Sequence, residues 1–179
     1  MTAPDPDGPP FKGIMQIAYI VPDLQKAIAH YVDELRIGPW FVSDHFAGTD
    51  KLYRGKPTEV DMTIGMSYAN QMNIELIQQI GDAPSVYREV ADKNGYGFHH
   101  WGVATDSFVD DLTRYRNQGY EIAFTTSIRG ARLAYVDTAR DLPGMIELIE
   151  LTPNHRTVFT SWYRACQAWD GREPIRKRG

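Results

Sequence analysis

One order of elements occurs twice along the chain, and this repeat limits the fold more than any other feature. The segment "MQIAYIVPDLQKAIAHYVDELRIG" (residues 15–38) corresponds to "HHWGVATDSFVDDLTRYRNQGY" (residues 99–120). Each segment is predicted to form a short strand, a turn and an amphipathic helix, because apolar residues recur at helical spacing after the turn. Three strand-like runs follow each helix, so both halves of the chain have the order β-α-β-β-β.

Neither half can bury its own sheet, because an open four-stranded sheet leaves one face without cover. We therefore predict an α+β fold in which two βαβββ modules, residues 13–80 and 97–152, pair into a curved, eight-stranded mixed sheet that encloses a cleft. A linker helix over residues 83–97 joins the modules, and together they form one domain over residues 13–152. Residues 153–179 are predicted to form a C-terminal helical extension.

Two glutamates lie at corresponding places within apolar strands, Glu75 in "NIELIQ" and Glu147 in "MIELIE". An ionised carboxylate among apolar residues is costly unless it is paired or binds a metal ion. In the predicted architecture, the first strands of the two modules contribute Gln16 and His100 to the same cleft, whereas His99 faces the opposite side if its strand is regular. A divalent cation between the side chains in the cleft would explain why two carboxylates stand in buried strands.

Composition argues against several classes of protein. The formal net charge is −4, which disfavours a groove for nucleic acid, since phosphate binding depends on clustered Lys and Arg. Cys166 is the only cysteine, so neither a disulfide framework nor a cysteine-based zinc site is expected. No apolar stretch approaches the ~20 residues that span a bilayer, and the start "MTAPDPDGPP" does not resemble a signal peptide. We therefore expect a cytoplasmic protein with no nucleic-acid or membrane partner.

The repeated pattern resembles the vicinal oxygen chelate superfamily, which includes glyoxalase I, methylmalonyl-CoA epimerase, extradiol dioxygenases and the bleomycin resistance proteins. The resemblance covers roughly residues 13 to 152. It is most specific in "SVYREVADKNGYGFHHWGVATD" and "GMIELIEL", which are similar to methylmalonyl-CoA epimerase. In this superfamily the first and last strands of each module supply one metal ligand apiece. The resemblance places these ligands at Gln16, Glu75, His100 and Glu147.

This ligand set implies one divalent metal ion and leaves its identity open among Zn²⁺, Ni²⁺, Co²⁺, Mn²⁺ and Mg²⁺. One nitrogen and three oxygen donors form a fairly hard site, which favours Lewis-acid chemistry over redox chemistry. Many members of the superfamily have His where this chain has Gln16, and methylmalonyl-CoA epimerases typically have Gln where this chain has Glu75. Some glyoxalase I enzymes resemble this chain in using Gln, Glu, His and Glu.

The resemblance implies a metal-dependent isomerase, epimerase or lyase that acts on a small-molecule substrate through a metal-stabilised enolate. Glu147 would take the proton from carbon, as its counterpart is thought to do in glyoxalase I and in the epimerase. Asp61, in "TEVDMTIGM", is the nearest match to the second acid/base group of the epimerase, although a solvated strand charge is an equal alternative. Trp40 and Tyr68 are candidates for an aromatic substrate pocket or, equally, for the core.

Three functions are compatible with these residues. Methylmalonyl-CoA epimerase-like chemistry agrees with the linker-helix motif, whereas a glyoxalase I-like lyase agrees with the ligand set. The third function is metal-free binding of a small aromatic compound, as in bleomycin resistance proteins. The run "WYRACQAW" near the C-terminus offers aromatic surface for an interface. Because members of the superfamily are often dimers, we expect a homodimer.

Overall fold

The computed structural model describes residues 8–46 and 48–177, and within these it has four helices and eleven strands. The helices are α1 (Leu24–Asp33), α2 (Val86–Asn94), α3 (Phe108–Asn117) and α4 (Pro153–Gln167). The strands are β1 (Ile14–Ile20), β2 (Trp40–Ser43), β3 (Thr49–Tyr53), β4 (Lys56–Pro57), β5 (Asp61–Ala69), β6 (Met72–Ile80), β7 (Gly97–Thr105), β8 (Glu121–Ile128), β9 (Ala131–Asp137), β10 (Met145–Glu150) and β11 (Ile175–Lys177). Of the helices in the described ranges, none has the length and apolar character needed to cross a membrane.

All these strands lie in one mixed sheet, in the order β11-β2-β5-β6-β1-β7-β10-β9-β8-β3-β4. The eight central strands are the two predicted modules: β2, β5, β6 and β1 come from the first, and β7, β10, β9 and β8 from the second. The first strands of the modules, β1 and β7, are antiparallel neighbours and join the two halves. In each module the first and last strands are parallel neighbours. The predicted fold class, with its paired modules, is confirmed.

Three short strands extend the sheet beyond the predicted eight. β3 and β4 form a hairpin around Arg54 and Gly55, both of which have positive φ. Although β3 belongs to the first module by sequence, it pairs with β8 of the second module. β11 pairs in parallel with β2 at the other edge. Runs as short and polar as "TDKLY" carry too little alternation to predict a strand, and their partners are distant in sequence.

Capping side chains set the starts of the helices that lie near the cleft. Ser85 accepts a backbone N–H from the first turn of α2, and Thr152 accepts the N–H of His155 at the start of α4. Such caps satisfy N–H groups that have no partner within the helix. Helix α2 lies inside the predicted linker helix but is shorter, because Ser85 caps its start and Gly95, with φ 81°, ends it.

Apolar side chains pack on both faces of the sheet. On one face, Leu24 and Ile28 of α1 pack against Trp40 in the first module, and Phe108 of α3 packs against the second module. The largest cluster lies on the opposite face, where α2 and α4 cover the strands of both modules. This second face is the predicted cleft, so the cleft is covered by helices of the same chain.

The C-terminal extension is accounted for by α4, which lies over the cleft. Trp162 stacks on Phe41 with ring centroids 5.3 Å apart, and Tyr163 meets Tyr68 edge-on at the same separation of 5.3 Å. The aromatic residues that the sequence assigned to an interface therefore pack within the chain. Residues 178–179 of the predicted extension lie outside the described residues.

Candidate metal centre

The strands bring the four predicted ligands to two adjacent rows of the sheet. In one row, Ala18 of β1 lies between Glu75 of β6 and His100 of β7. In the next row, Gly102 of β7 separates the other two ligands, which come from β1 and β10. Residues two apart on a strand face the same side, so all four side chains point to one place. These four predicted ligands are Gln16, Glu75, His100 and Glu147.

Glu75, His100 and Glu147 form a compact, buried cluster. Their ligand atoms all lie within 4.8 Å of one another. His100 Nε2 is 3.2 Å from an oxygen of Glu147 and 3.5 Å from an oxygen of Glu75, yet it makes no well-oriented hydrogen bond within the described part of the chain. The exposed fractions are 5% for Glu75, 0% for His100 and 4% for Glu147. Electron-rich groups thus face one another away from water, an arrangement that a cation stabilises.

The side-chain carbonyl oxygen of Gln16 is directed toward the cluster because Asn73 holds the amide group in one orientation. Asn73 Nδ2 donates to the backbone carbonyl of Ser67 at 3.1 Å, so Asn73 Oδ1 is left to accept from Gln16 Nε2 at 3.0 Å. These two hydrogen bonds fix Nε2 of Gln16 on the side of Asn73, so Oε1 lies on the opposite side of the amide group. Gln16 is 1% exposed, and its Oε1 has no hydrogen-bond partner among residues 8–46 and 48–177. A buried acceptor without a donor fits a ligand to a cation.

Gly102 leaves the space that the Gln16 side chain occupies. A Cβ atom at Gly102 would lie 2.6 Å from Gln16 Oε1, 2.7 Å from Gln16 Cβ and 3.1 Å from Ile149 Cδ1. Any larger residue at this position would therefore displace Gln16. The role of Gly102 was missed in the sequence, although a glycine inside a strand is a signal of close approach.

A β-bulge brings the ring of His99 against that of His100. Ala18 pairs with His100, but the next residue of β1, Tyr19, pairs with Phe98, so His99 has no partner on β1. An extra residue of this kind breaks the alternation of side chains along a strand. The two histidine rings meet, with their Nδ1 atoms 2.9 Å apart. The prediction that His99 faces the opposite side held only for a regular strand, and the bulge removes that condition.

His99 is fully buried between α2 and His100. Its Nε2 lies 3.3 Å from the carbonyl oxygen of Val86, the first residue of α2, and its ring stacks on Tyr87 with centroids 5.0 Å apart. Burial, together with the neighbouring His100, lowers the pKa of His99 to about 3. The ring of His99 is therefore neutral near pH 7.

Two tyrosines beside the cluster were not foreseen from the sequence. Tyr135 of β9 lies opposite Glu147 in the antiparallel pair of β9 and β10, and its ring meets His100 edge-on at 4.9 Å. Tyr87 donates its hydroxyl to that of Tyr135 at 3.2 Å. Burial raises the pKa of both tyrosines well above the usual value, so both remain hydrogen-bond donors. Pairing "ARLAYVDT" with "GMIELIEL" as neighbouring strands would have placed Tyr135 beside Glu147.

The cluster forms one wall of a cavity of about 60 Å³ beneath α4. This volume is several times the ~10–15 Å³ that one water molecule needs, so the cavity fits a small reacting group. Gln16, Glu75, Glu147, Tyr87 and Tyr135 line it. Most of the remaining wall is apolar and consists of Phe46, Gly48, Met62, Ile64, Met66, Ile77, Phe124, Ile128, Leu133, Ile149, Val158, Phe159 and Trp162. The polar residues that complete it are Lys51, Thr126, Arg129, Asn154 and His155.

Asp61 is not brought to this cavity. It is the first residue of β5, and the residues that alternate with it, Met62 and Ile64, line the cavity instead. The Asp61 carboxylate lies 2.6 Å from Nδ1 of His45, and this hydrogen bond raises the pKa of His45. The alternation of a strand therefore directs Asp61 away from Glu147.

Trp40 and Tyr68 are placed in the core. Trp40 is fully buried under α1, where its Nε1 donates to the carbonyl of Ile37 at 2.9 Å. This position lies on the face of the sheet opposite the cavity. Tyr68 lies on the cavity face, but it is 4% exposed and packs against Tyr163 of α4. Neither residue is among the described residues that line the cavity.

The donor atoms suit a divalent cation. Two carboxylates, one imidazole nitrogen and one amide oxygen are donors that Zn²⁺, Ni²⁺, Co²⁺, Mn²⁺ and Mg²⁺ all accept. The charge of such an ion would balance the two carboxylates of Glu75 and Glu147 and so offset the cost of burying them. Oε1 of Gln16, which has no hydrogen-bond partner among the described residues, adds an uncharged ligand atom. The residues present thus fit the metal ion that the resemblance implies.

Comparison with solved structures supports the fold. The chain is similar to a hypothetical protein from Bacillus halodurans, with a TM-score of 0.61 and 17% identity, over 78% of this chain and 94% of that one. It is similar to methylmalonyl-CoA epimerase from Mycobacterium tuberculosis, with a TM-score of 0.55 and 19% identity, over 79% and 89%. A variant of the Streptomyces coelicolor epimerase in complex with 2-nitronate-propionyl-CoA has a TM-score of 0.53 and 15% identity, over 80% and 97%. At these identities the likeness establishes the fold alone.

Sequence comparison identifies the family. A search of curated proteins found no match to this chain. The family profile described as the Glyoxalase/Bleomycin resistance protein/Dioxygenase superfamily matches residues 15–136, which is more than half of the chain. The match includes Gln16, Glu75 and His100, whereas Glu147 lies after it on β10. The chain therefore belongs to the Glyoxalase/Bleomycin resistance protein/Dioxygenase superfamily.

Proposed function

We propose that this protein is a divalent-metal-dependent enzyme that moves a proton at the carbon next to a carbonyl group of a small molecule. Such a reaction would make it an isomerase, an epimerase or a lyase. The observation that carries the proposal is the buried cluster of Glu75, His100 and Glu147, which shares its cavity with the unpartnered Oε1 of Gln16. Two buried carboxylates that converge with an imidazole nitrogen and an amide oxygen are expected where a cation binds.

The ion would be held by Gln16, Glu75, His100 and Glu147. When bound, a divalent cation supplies Lewis-acid chemistry, polarising a carbonyl oxygen and stabilising the enolate that proton loss creates. The chain itself fixes the directions of the donors in advance, because Asn73 holds the amide of Gln16 at 3.0 Å. Ligands that are oriented by a surrounding layer of hydrogen bonds need little rearrangement when the ion binds.

Glu147 is proposed as the base that takes the proton from carbon. One of its oxygens lies 3.2 Å from His100 Nε2, and its side chain lines the cavity, so it can reach both the ion and a bound substrate. Tyr135 lies opposite Glu147 on the neighbouring strand and stays protonated because burial raises its pKa. Its hydroxyl is therefore available to donate to an oxygen in the cavity.

Glu75 takes the second acid/base role in this proposal, in place of Asp61. A change of configuration at carbon needs proton-transferring groups on two faces of that carbon. Glu75 and Glu147 both line the cavity and come from β6 and β10, which lie on either side of β7 in the sheet, whereas Asp61 contacts His45 outside the cavity. The same pair of glutamates would serve a glyoxalase I-like lyase. The geometry is therefore compatible with a methylmalonyl-CoA epimerase-like reaction and with a lyase reaction.

An acyl-CoA thioester is the first substrate class to test. The cavity of about 60 Å³ accommodates a small reacting group rather than a whole cofactor-sized molecule. The similar Streptomyces coelicolor epimerase is in complex with 2-nitronate-propionyl-CoA, in which a small acyl group is joined to a large carrier. A small acyl group on such a carrier, or a thiol adduct of a small 2-oxoaldehyde, agrees with this volume.

A second candidate function is metal-free binding of a small aromatic compound. The observation in its favour is the cavity wall, which is mostly aliphatic and aromatic and includes Phe159 and Trp162 of α4. Apolar walls of this kind bind apolar ligands without any metal ion. Under this alternative, the glutamates would take no part in ligand binding.

Three further expectations remain proposals. Two copies of the chain associate into a homodimer, and the protein acts in the cytoplasm on a small-molecule substrate. Residues 13–152 form a single domain with α4 as its extension. Since Trp162 and Tyr163 pack within the chain, a dimer would use another surface.

Solvent-deuterium exchange tests the enzyme proposal. The metal-loaded protein is incubated in D₂O with small acyl-CoA thioesters and with thiol adducts of 2-oxoaldehydes, and deuterium at the α-carbon is followed by NMR. We expect incorporation that is lost in Glu147→Gln and retained in Glu34→Gln, which makes the same charge change at an exposed residue after α1. Exchange that persists in Glu147→Gln or after chelation contradicts the proposal. Metal-independent binding of an apolar aromatic compound, with no exchange, favours the second candidate.

A further inference from the structure

We propose that His99 is a positioning residue that fixes the tautomer of His100, so that Nε2 of His100 presents a lone pair toward Glu75 and Glu147. The functional meaning of this inference rests on the proposed metal site. Its structural content applies to the metal-free protein as well. It follows from a relay of three groups: the carbonyl of Val86, the ring of His99 and the ring of His100.

The relay begins at the backbone of α2. The carbonyl oxygen of Val86 lies 3.3 Å from His99 Nε2, and a carbonyl oxygen can only accept a hydrogen bond. His99 Nε2 therefore carries a hydrogen. The ring of His99 is fully buried and stacked on Tyr87, a setting that favours the uncharged form of an imidazole. An uncharged ring with its hydrogen on Nε2 has a lone pair on Nδ1.

The second step passes from His99 to His100. Their Nδ1 atoms are 2.9 Å apart, a distance at which one hydrogen lies between two nitrogens. Since Nδ1 of His99 is the acceptor, Nδ1 of His100 is the donor. With its hydrogen on Nδ1, His100 has Nε2 as the only ring nitrogen that can present a lone pair.

Nε2 of His100 faces the two carboxylates of the cluster. It lies 3.2 Å from Glu147 and 3.5 Å from Glu75. In the other tautomer, an Nε2–H group would donate to these carboxylates and would have to be removed before a metal ion could bind. By holding the hydrogen on Nδ1, His99 keeps His100 in the form that ligates a cation.

The backbone supports this role. A regular strand would direct His99 and His100 to opposite faces, but the β-bulge leaves His99 without a partner on β1 and lets the two rings meet. Bulges that redirect a side chain are common beside functional sites. The same feature explains why adjacent histidines in "HHWG" are both fully buried.

The tautomers can be measured directly by NMR. We expect the long-range ¹H–¹⁵N spectrum of the metal-free protein to show His100 with its hydrogen on Nδ1. In His99→Phe, which keeps an aromatic ring against Tyr87 but removes the acceptor, the hydrogen of His100 should shift toward Nε2. The affinity for Zn²⁺, measured by competition with a chromophoric chelator, should fall about 10–100-fold. His99→Asn, whose Oδ1 can accept from His100 Nδ1, should recover most of this loss, and the tautomer of His155 serves as an internal control.

Two results would overturn the inference. One is a wild-type spectrum in which His100 carries its hydrogen on Nε2, and the other is a folded His99→Phe variant that keeps both the original tautomer and the original Zn²⁺ affinity. If His99→Phe does not fold, as judged by circular dichroism, the wild-type spectrum and His99→Asn still decide the question. A wild-type protein that shows the expected tautomer and binds no metal would uphold the positioning role and refute the proposed function.

Discussion

Residues outside the proposed ligand set fix the directions in which the ligand atoms of Gln16 and His100 point. Asn73 holds the nitrogen of Gln16, and Gly102 leaves the space into which the Gln16 side chain extends. His99 acts in the same way on His100. Because such neighbours restrict each donor to one direction, the cost of ordering the site is met during folding rather than when a ligand binds.

Gly102→Ala tests whether the position of the Gln16 side chain matters for metal binding. The new methyl group would lie 2.6 Å from Gln16 Oε1, so Gln16 must move away from its place in the cluster. We expect the affinity for a divalent ion to fall about 10-fold or more, as measured by chelator competition. Gly65→Ala is the matched control, because its methyl group would also enter a strand but would meet Ile28 Cδ1 at 3.1 Å and Trp40 Cε3 at 3.4 Å rather than any proposed ligand. An unchanged affinity in Gly102→Ala would show that Gln16 is not a ligand.

At the scale of elements, one arginine adds ion pairs to the β3–β8 pairing that joins the hairpin of β3 and β4 to the second module. The guanidinium of Arg54 lies 2.6 Å from Glu89 of α2, 2.8 Å from Asp137 of β9 and 2.6 Å from Glu121 of β8. Arg54 is 27% exposed at its side chain, and Glu89 and Asp137 are 31% and 24% exposed. These contacts connect an element of the first module to three elements that lie after it in sequence.

Arg54→Ala should destabilise the fold by about 1.5–3 kcal/mol at pH 7, since hydrogen bonds to charged groups contribute this much. In the wild type, the hydrogen bonds from Arg54 lower the pKa of Glu89. A carboxyl group with a lowered pKa in the folded state stabilises that state at pH values above its unfolded pKa of about 4.3. That stabilisation is lost as the pH falls through the folded pKa. In urea unfolding, the difference between wild type and variant should therefore be full at pH 7 and smaller below about pH 4.

The exposed Arg116 supplies the control for this experiment. Arg116→Ala removes the same charge from α3 and should change the free energy of unfolding by no more than about 0.5 kcal/mol. A difference between wild type and Arg54→Ala that is the same at pH 7 and at about pH 3 would contradict the assigned role of Glu89.

Helix α4 is the second element with a specific role, because it covers the cavity. Phe159 is 6% exposed, lines the cavity and meets Trp162 edge-on at 5.4 Å. Phe159→Ala should cost about 3–5 kcal/mol of stability, as large-to-small changes in a core do, and should increase binding of a hydrophobic dye. Leu35→Ala, at a residue that is 52% exposed, should change stability by no more than about 0.5 kcal/mol. If Phe159→Ala were as stable as wild type, α4 would not be the cover of this cavity.

At the scale of the whole molecule, local patterns were sufficient for the architecture and for the central site. The repeat predicted two paired modules, and alternation predicted that Glu75 and Glu147 share a face with Gln16 and His100. Features that depend on pairing between distant segments could not be predicted in this way. The bulge at His99 is defined only by its register with β1, and β3 joins a strand of the other module.

Other differences have the same physical origin. Asp61 and Met62 are adjacent, and a shift of one residue decides which of them faces the cavity. Trp40 is as apolar as the residues of the cavity, but its strand directs it under α1. The docking of α4 depends on the fit of Trp162 to Phe41, which no spacing in the sequence encodes. The chemical character of a residue can thus be read from the sequence. The face of the sheet to which its side chain points, and the packing of a helix on the sheet, are determined only in the folded chain.

The proposed function requires that Gln16, Glu75, His100 and Glu147 hold a divalent ion. Elemental analysis after dialysis against several divalent ions, with removal of unbound metal, tests it directly. We expect one divalent ion per chain in wild type and in Glu34→Gln, and a loss of that ion in Glu147→Gln, because the variant lacks one of the two anionic ligands. A wild-type protein that takes up no ion, or a Glu147→Gln variant that holds it as tightly as wild type, would contradict the account.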